Sequence, residues 1–107
     1  MVKILMHGCN GKMGRMITEI VKIDEDAVIA AGDDKFTGIP KDYPVFEEIT
    51  QCDVDVDVVI DFSNAGAVDE LLDYCVKKSL PVVLCTTGLS DVQLTHVYEC
   101  SEKIAVL

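Results

Sequence analysis

The residues of this chain best placed to do chemistry stand between His7 and Gly14, in the run His-Gly-Cys-Asn-Gly-Lys-Met-Gly. Three glycines at even spacing, Gly8, Gly11 and Gly14, leave backbone amides bare where side chains would otherwise cover them. Such a turn suits an anion, above all a diphosphate, when it opens into a helix. The first turn of a helix offers unpaired N–H groups and the positive end of the macrodipole. A Cβ at Gly8 or Gly11 would hold a phosphate away from the backbone, and the bare Gly14 lets a helix lie close to its strand. The spacing is G-x-x-G-x-x-G rather than the commoner G-x-G-x-x-G, so the flanking pattern has to carry the reading. A glycine-rich connection without a ligand is the competing explanation.

That flanking pattern is a short apolar strand, Val2 to Met6, followed by a change of period. Met13, Met16, Ile17, Ile20 and Val21 fall at i, i+3, i+4, i+7 and i+8, one face of a helix. Strand, glycine turn and helix in this order open a dinucleotide-binding unit. Further along, Ala27 to Ala31 reads as a second strand ending at Gly32-Asp33-Asp34-Lys35. Asp34 lies about twenty residues past Gly14, where an acid accepts hydrogen bonds from the adenosine ribose. Lys35 beside it favours a ribose 2′-phosphate, so the pair suits NADH or NADPH, and a solvated turn of mixed charge is the plainer alternative.

The remaining elements repeat the alternation. Phe36 to Tyr43, with Gly38 and Pro40, reads as a loop; Pro44 to Phe46 as a short third strand; Glu47 to Cys52 as a helical turn. Val56 to Phe62 is a fourth strand, continuous enough to be buried on both faces of a parallel sheet. Ser63 or Asn64 is expected to cap a helix over Ala65 to Lys78, with Lys77 and Lys78 suiting its C-terminal dipole. A fifth strand follows Pro81 and runs into Thr86-Thr87-Gly88. Ser90 and Gln93 form a capping box for a last helix, and Ile104 to Leu107 starts a sixth strand. The expected fold is α/β, a Rossmann-like doubly wound parallel sheet of about six strands in order 3-2-1-4-5-6. Three polar strand ends then share one edge: the glycine turn, Asp61-Phe62-Ser63 and Thr86-Thr87-Gly88.

At 107 residues the chain suits a single domain, spanning all of 1–107. A net charge of −10 without a basic cluster argues against a nucleic-acid surface. No run has the length of a membrane span or the form of a signal peptide. Five cysteines with no C-x-x-C pair point to a reduced, cytoplasmic protein without a metal site. Cys9, beside the expected helix N-terminus, is the one candidate for a thiol of lowered pKa, with a small loop side chain as the simpler view. His7 and His96 have no partner at a telling spacing and read as structural. No catalytic residue can be named.

Three motifs, in order along the whole chain, resemble the N-terminal cofactor domain of dihydrodipicolinate reductase (4-hydroxy-tetrahydrodipicolinate reductase) of bacterial lysine, or diaminopimelate, biosynthesis. They are Ile4-Leu5-Met6-His7-Gly8-Cys9-Asn10-Gly11-Lys12-Met13-Gly14, Val59-Ile60-Asp61-Phe62-Ser63 and Val83-Leu84-Cys85-Thr86-Thr87-Gly88-Leu89. The resemblance implies that Gly8, Cys9, Asn10, Gly11, Lys12 and Met13 wrap the diphosphate of NADH or NADPH. It implies that Asp34 and Lys35 meet the adenosine ribose, that Phe62 and Ser63 line the crevice, and that Cys85, Thr86 and Thr87 approach the nicotinamide. Cys85 stands where the family usually has glycine. Proteins of this family run well over twice as far, and their second half holds the catalytic histidine and lysine, the substrate site and the tetramer-forming sheet. The implied whole enzyme passes hydride from NAD(P)H to a cyclic dicarboxylate; the 107 residues alone would bind nucleotide without turnover. Two other readings compete: a stand-alone nucleotide-binding or redox-sensing module, and a flavodoxin- or receiver-like domain, which would need acids where the glycines stand.

Overall fold

A computed structural model describes residues 1–39 and 41–107. Pro40, which the sequence places in a loop, lies outside the described residues. Five strands form one parallel sheet: β1 (Val2–His7), β2 (Ala27–Asp33), β3 (Val45–Phe46), β4 (Val58–Asp61) and β5 (Val82–Leu84). Their order is β3-β2-β1-β4-β5, with helices α1 (Lys12–Lys22), α2 (Val68–Lys78) and α3 (Asp91–Ser101) in the connections. The expected order is thus met with one difference. Instead of a full sixth strand, residues 105–107 make a single parallel bridge, Val106 to Val82, beside β5. Three backbone hydrogen bonds tie them to β5, too few residues for a ladder.

Alternation along β1 divides the core between the two faces of the sheet. Leu5 points into a cluster with Ala31, Val59, Leu71, Leu72 and Val82, under α2 and α3. Ile4 and Met6 point the other way, with Cys9, Ile29 and Tyr43. That second face is covered by α1, through Ile17 and Val21.

The apolar face of α1 is not the one its periodicity suggests. Gly14 is the helix's buried residue, whereas Met13, Met16 and Ile20 are 39%, 49% and 60% exposed. The glycine loop sets this rotation. A Cβ on Gly14 would collide with the Gly8 carbonyl oxygen and the Cys9 backbone, so this position has to face the loop. Ile17, Thr18 and Val21 then turn inward with it, and Thr18 Oγ1 donates to the Gly14 carbonyl and meets the Tyr43 hydroxyl at 3.0 Å. Close packing of backbone on backbone outweighs the burial of two methionines.

Two capping expectations part company. Ser90 caps α3 as expected, its Oγ accepting from Gln93 N while Gln93 Oε1 accepts from Ser90 N. The helix expected from Ala65 instead begins as a 3-10 turn, Ala65–Ala67, and neither Ser63 nor Asn64 caps it with a side chain. Ser63 Oγ is instead turned to Asp61 and donates to its carboxylate, a charge-assisted bond that holds the hydroxyl away from the helix N–H groups.

Candidate functional site

Register in the sheet places three ionisable residues in one row. His7, the last residue of β1, stands level with Asp33 on β2 and with Asp61 on β4. The β1–β2 pairing shifts by one residue between Ile4 and Leu5; without that shift His7 would lie opposite Gly32. His7 Nδ1 is 2.8 Å from both oxygens of Asp33. Its Nε2 faces Asp61 Oδ1 at 3.9 Å, beyond hydrogen-bond range, and is buried without a partner among the described residues.

Asp61 is fully buried and gathers the ends of β4 and β5. Its Oδ1 accepts from Ser63 N and Oγ, and its Oδ2 accepts from Thr86 N and Oγ1. Four donors satisfy a carboxylate that burial would otherwise make costly. For His7, burial works against the imidazolium and is the largest single influence. The hydrogen bond to Asp33, with the charges of Asp33, Asp61 and Glu70, outweighs it and raises the pKa above the ordinary value.

Above this row sits the glycine loop. Gly8 has φ +84°, and a Cβ there would lie 2.5 Å from the Phe62 carbonyl oxygen, so glycine is required by both conformation and space. The Asp33 carbonyl accepts from the amides of Gly8 and Cys9, and Asp34 Oδ2 accepts from Asn10 N, anchoring the loop to the end of β2. Gly11 is exposed with an ordinary φ of −72°, and a Cβ there would meet only the Gly8 carbonyl oxygen, at 3.4 Å. No side chain caps α1, and the first of its amides accepted by a backbone carbonyl is that of Arg15, by Gly11.

The loop forms one side of a cleft of about 530 Å³ at the carboxyl edge of the sheet. Of the residues expected from the sequence, Gly8, Gly11, Asp34, Lys35, Phe62 and Ser63 line it. Cys9 and Asn10 are buried beneath the loop, with Asn10 Nδ2 donating to the Phe36 carbonyl. Lys12 and Met13 are exposed at the start of α1, outside the lining. Cys85, Thr86 and Thr87 follow β5 but do not line the cleft; Thr86 is turned to Asp61. A lowered Cys9 pKa is overturned: burial, reinforced by the charges of Asp34 and Asp33, pushes the thiol up to about 11. The helix end is near, but desolvation of a thiolate outweighs it.

The cleft also takes in residues that sequence reasoning missed: His7, Asp33, Glu47, Glu48 and Glu70. A signal for the first two was present. Neighbouring strands β1 and β2 both end in an ionisable residue, and strand ends of a parallel sheet lie side by side.

Residues 2–107 match the family model described as dihydrodipicolinate reductase, N-terminus. The chain is 50% identical over 106 residues to a 4-hydroxy-tetrahydrodipicolinate reductase of Clostridium novyi (strain NT), covering 99% of this chain and 42% of that protein. It is 40% identical over 106 residues to one from Caldanaerobacter subterraneus subsp. tengcongensis, again covering 42% of the relative. The chain thus spans about two-fifths of the length of these relatives. Among solved structures, a dipicolinate-bound dihydrodipicolinate reductase from Paenisporosarcina sp. TG-14 superposes with a TM-score of 0.81 at 25% identity, covering 95% of this chain and 42% of that one. A probable dehydrogenase from Thermotoga maritima shares the fold, with a TM-score of 0.74 at 20% identity. No helix among the described residues is long and apolar enough to cross a membrane.

Proposed function

This chain belongs to the dihydrodipicolinate reductase N-terminal family, and on that premise we propose that it holds NADH or NADPH for a 4-hydroxy-tetrahydrodipicolinate reductase of bacterial lysine biosynthesis. The observation that carries the reading is Gly11. It lines the cleft, is exposed, and leads into a helix whose first turn has no side-chain cap. The residues fit the group: the loop leaves space above Gly11, and the buried His7 Nε2 has no partner among the described residues. When bound, the reduced nicotinamide supplies the hydride.

The chain's own residues bind and orient. The segment Gly8 to Met13 wraps the diphosphate: the amides of Gly8, Cys9, Asn10 and Gly11 hold the loop itself, and those of Lys12 and Met13, with the α1 dipole, face the anion. Asp34 and Lys35 stand at the β2 tip, where the adenosine ribose belongs, while Phe62 and Ser63 form the opposite wall. Cys85, Thr86 and Thr87 serve the nicotinamide end. Thr86 and Ser63 share Asp61 as acceptor, so that wall is held rigid from below. Nothing in residues 1–107 transfers a proton to substrate in this reading; a further domain supplies the catalytic groups and the tetramer contacts, in a reduced cytoplasmic setting. These residues alone bind nucleotide as one domain and do not turn over.

Calorimetric titration with NADH and NADPH tests this. Saturable binding is expected, and Gly11→Val should weaken it at least about a hundredfold by placing side-chain bulk in the phosphate position. Circular dichroism should be unchanged, since the exposed site tolerates a Cβ. Binding of neither nucleotide by the parent would overturn the reading.

A further inference from the structure

The outer wall of the cleft carries a charge pattern that the nucleotide reading alone does not require. Asp33 of β2 pairs in register with Phe46 of β3, and Asp34 N donates to the Phe46 carbonyl oxygen. The residues after Phe46 are Glu47 and Glu48, so these two glutamates are carried to the side of Asp34, and both line the cleft. Four carboxylates, from Asp33, Asp34, Glu47 and Glu48, therefore border the β2–β3 end. Among the described residues that line the cleft, Lys35 is the only lysine or arginine.

Two of these acids are fixed in place. Asp34 accepts from Asn10 N through Oδ2 and from Phe36 N through Oδ1. Glu48 is held at the 3-10 turn Ile49–Gln51 through its backbone, its carbonyl accepting from Gln51 N and its N–H donating to Gln51 Oε1. Glu47 has no such tie and is exposed toward the opening. On the inner side the uncapped N-terminus of α1 favours an anion at the glycine loop, and the buried His7 Nε2 that lines the cleft has no partner among the described residues. The anionic part of a ligand is thus favoured at the loop and disfavoured at the β2–β3 end.

We propose that the cleft takes NADH in preference to NADPH, and that Glu47 and Glu48 are specificity-determining residues through repulsion of a ribose 2′-phosphate. The inference rests on the nucleotide reading above. In a parallel sheet of this order the adenosine ribose lies over the tip of β2. NADH and NADPH share the diphosphate and differ there only by a phosphate of about −1.5 to −2 charges. The comparison of the two therefore isolates this end of the cleft. With Asp33 engaged by His7, Lys35 stands against Asp34 and the exposed Glu47 and Glu48, and a carboxylate beside a ribose diol accepts its hydroxyls, whereas beside a phosphate it only repels.

The experiment is paired titration of the protein with NADH and with NADPH at low and high salt, repeated on Glu47→Lys and on Glu47→Gln/Glu48→Gln. NADH should bind about tenfold tighter or more at low salt. The gap should narrow as salt screens the exposed glutamates, and both variants should narrow it further, Glu47→Lys the more. If the parent binds NADPH as tightly as NADH, the preference is wrong while the nucleotide site stands. If the parent prefers NADH but both variants keep its ratio, the glutamates are not its source. Binding of neither nucleotide would remove the site reading itself.

Discussion

Each histidine of the chain stands between two aspartates, and the two trios could hardly be placed more differently. His7 lies at the sheet's carboxyl edge between Asp33 and Asp61, with side chains 8%, 6% and 0% exposed. His96 lies on α3 and reaches across to Asp69 and Asp73, one turn apart on α2, with side chains 24%, 54% and 75% exposed. At His96 both ring nitrogens reach a carboxylate, Nδ1 to Asp69 at 2.6 Å and Nε2 to Asp73 at 3.0 Å. At His7 only one does. The exposed trio is thus complete in its bonds and set in water, where ion pairs contribute little. The buried one is short by one bond in a medium where each unpaired polar atom is costly, and that missing partner faces the cleft.

The sharpest way to break this contrast is to remove an acid from each. Asp61→Ala should destabilise the protein by about 3–5 kcal/mol in chemical denaturation, because it strands the four Ser63 and Thr86 donors in a buried site beside His7. Asp73→Ala should leave the denaturation midpoint within error of the parent. Equal losses from the two would mean that burial does not separate the trios.

A smaller effect comes from the imidazole itself. His7→Asn keeps a donor toward Asp33 but removes the titratable ring, and should cost about 1.5–3 kcal/mol near neutral pH. Because the folded pKa of His7 is raised, its contribution is fully present below the unfolded value of about 6.5 and is lost as pH rises through the folded value. The groups acting on it are Asp33 and Asp61 from the flanking strands and Glu70 from α2. Stability measured from pH 6 upward should therefore fall more steeply in the parent than in His7→Asn. Parallel profiles would show that His7 is neutral in the fold.

What could be read from the residues, and what could not, follows the same division between local and distant pairing. The glycine loop and the Ser90–Gln93 capping box depend on neighbours a few residues apart, and both are legible; the strand order, which pairs β1 with β4 more than fifty residues away, is legible only because the strand, glycine turn and helix at the start mark the fold. The row Asp33–His7–Asp61 joins residues 26 and more positions apart through a register that a one-residue shift decides. No spacing rule reaches that far. The inward face of α1 was misread for a related reason: Gly14 has no hydrophobicity to announce it, yet its contact with Gly8 rotates the helix. Glu47 and Glu48 read only as the start of a helical turn, and it is the β2–β3 pairing that brings them to the cleft.

The smallest effect is expected at His96, and it gives the contrast its finest edge. The hydrogen bond to Asp69 raises the His96 pKa, assisted by Asp73 against a modest burial penalty, and the same bond lowers that of Asp69. The signs give two pH limits. The histidine's share is present below about 6.5 and fades as pH rises through its raised value; the aspartate's share is present above the ordinary carboxylate range and fades in acid. The link between α2 and α3 should be strongest in a mildly acidic window. His96→Gln should lower Tm by no more than about 4 °C there, and by less at pH 9. Raising salt to 1 M, where the screening length is about 3 Å, should erase most of the difference. The same salt should leave the His7→Asn difference largely in place, because water and ions do not reach between His7 and Asp33. Should salt erase both differences alike, the two trios would be electrostatically equivalent, and the row beneath the glycine loop would owe nothing to being dry.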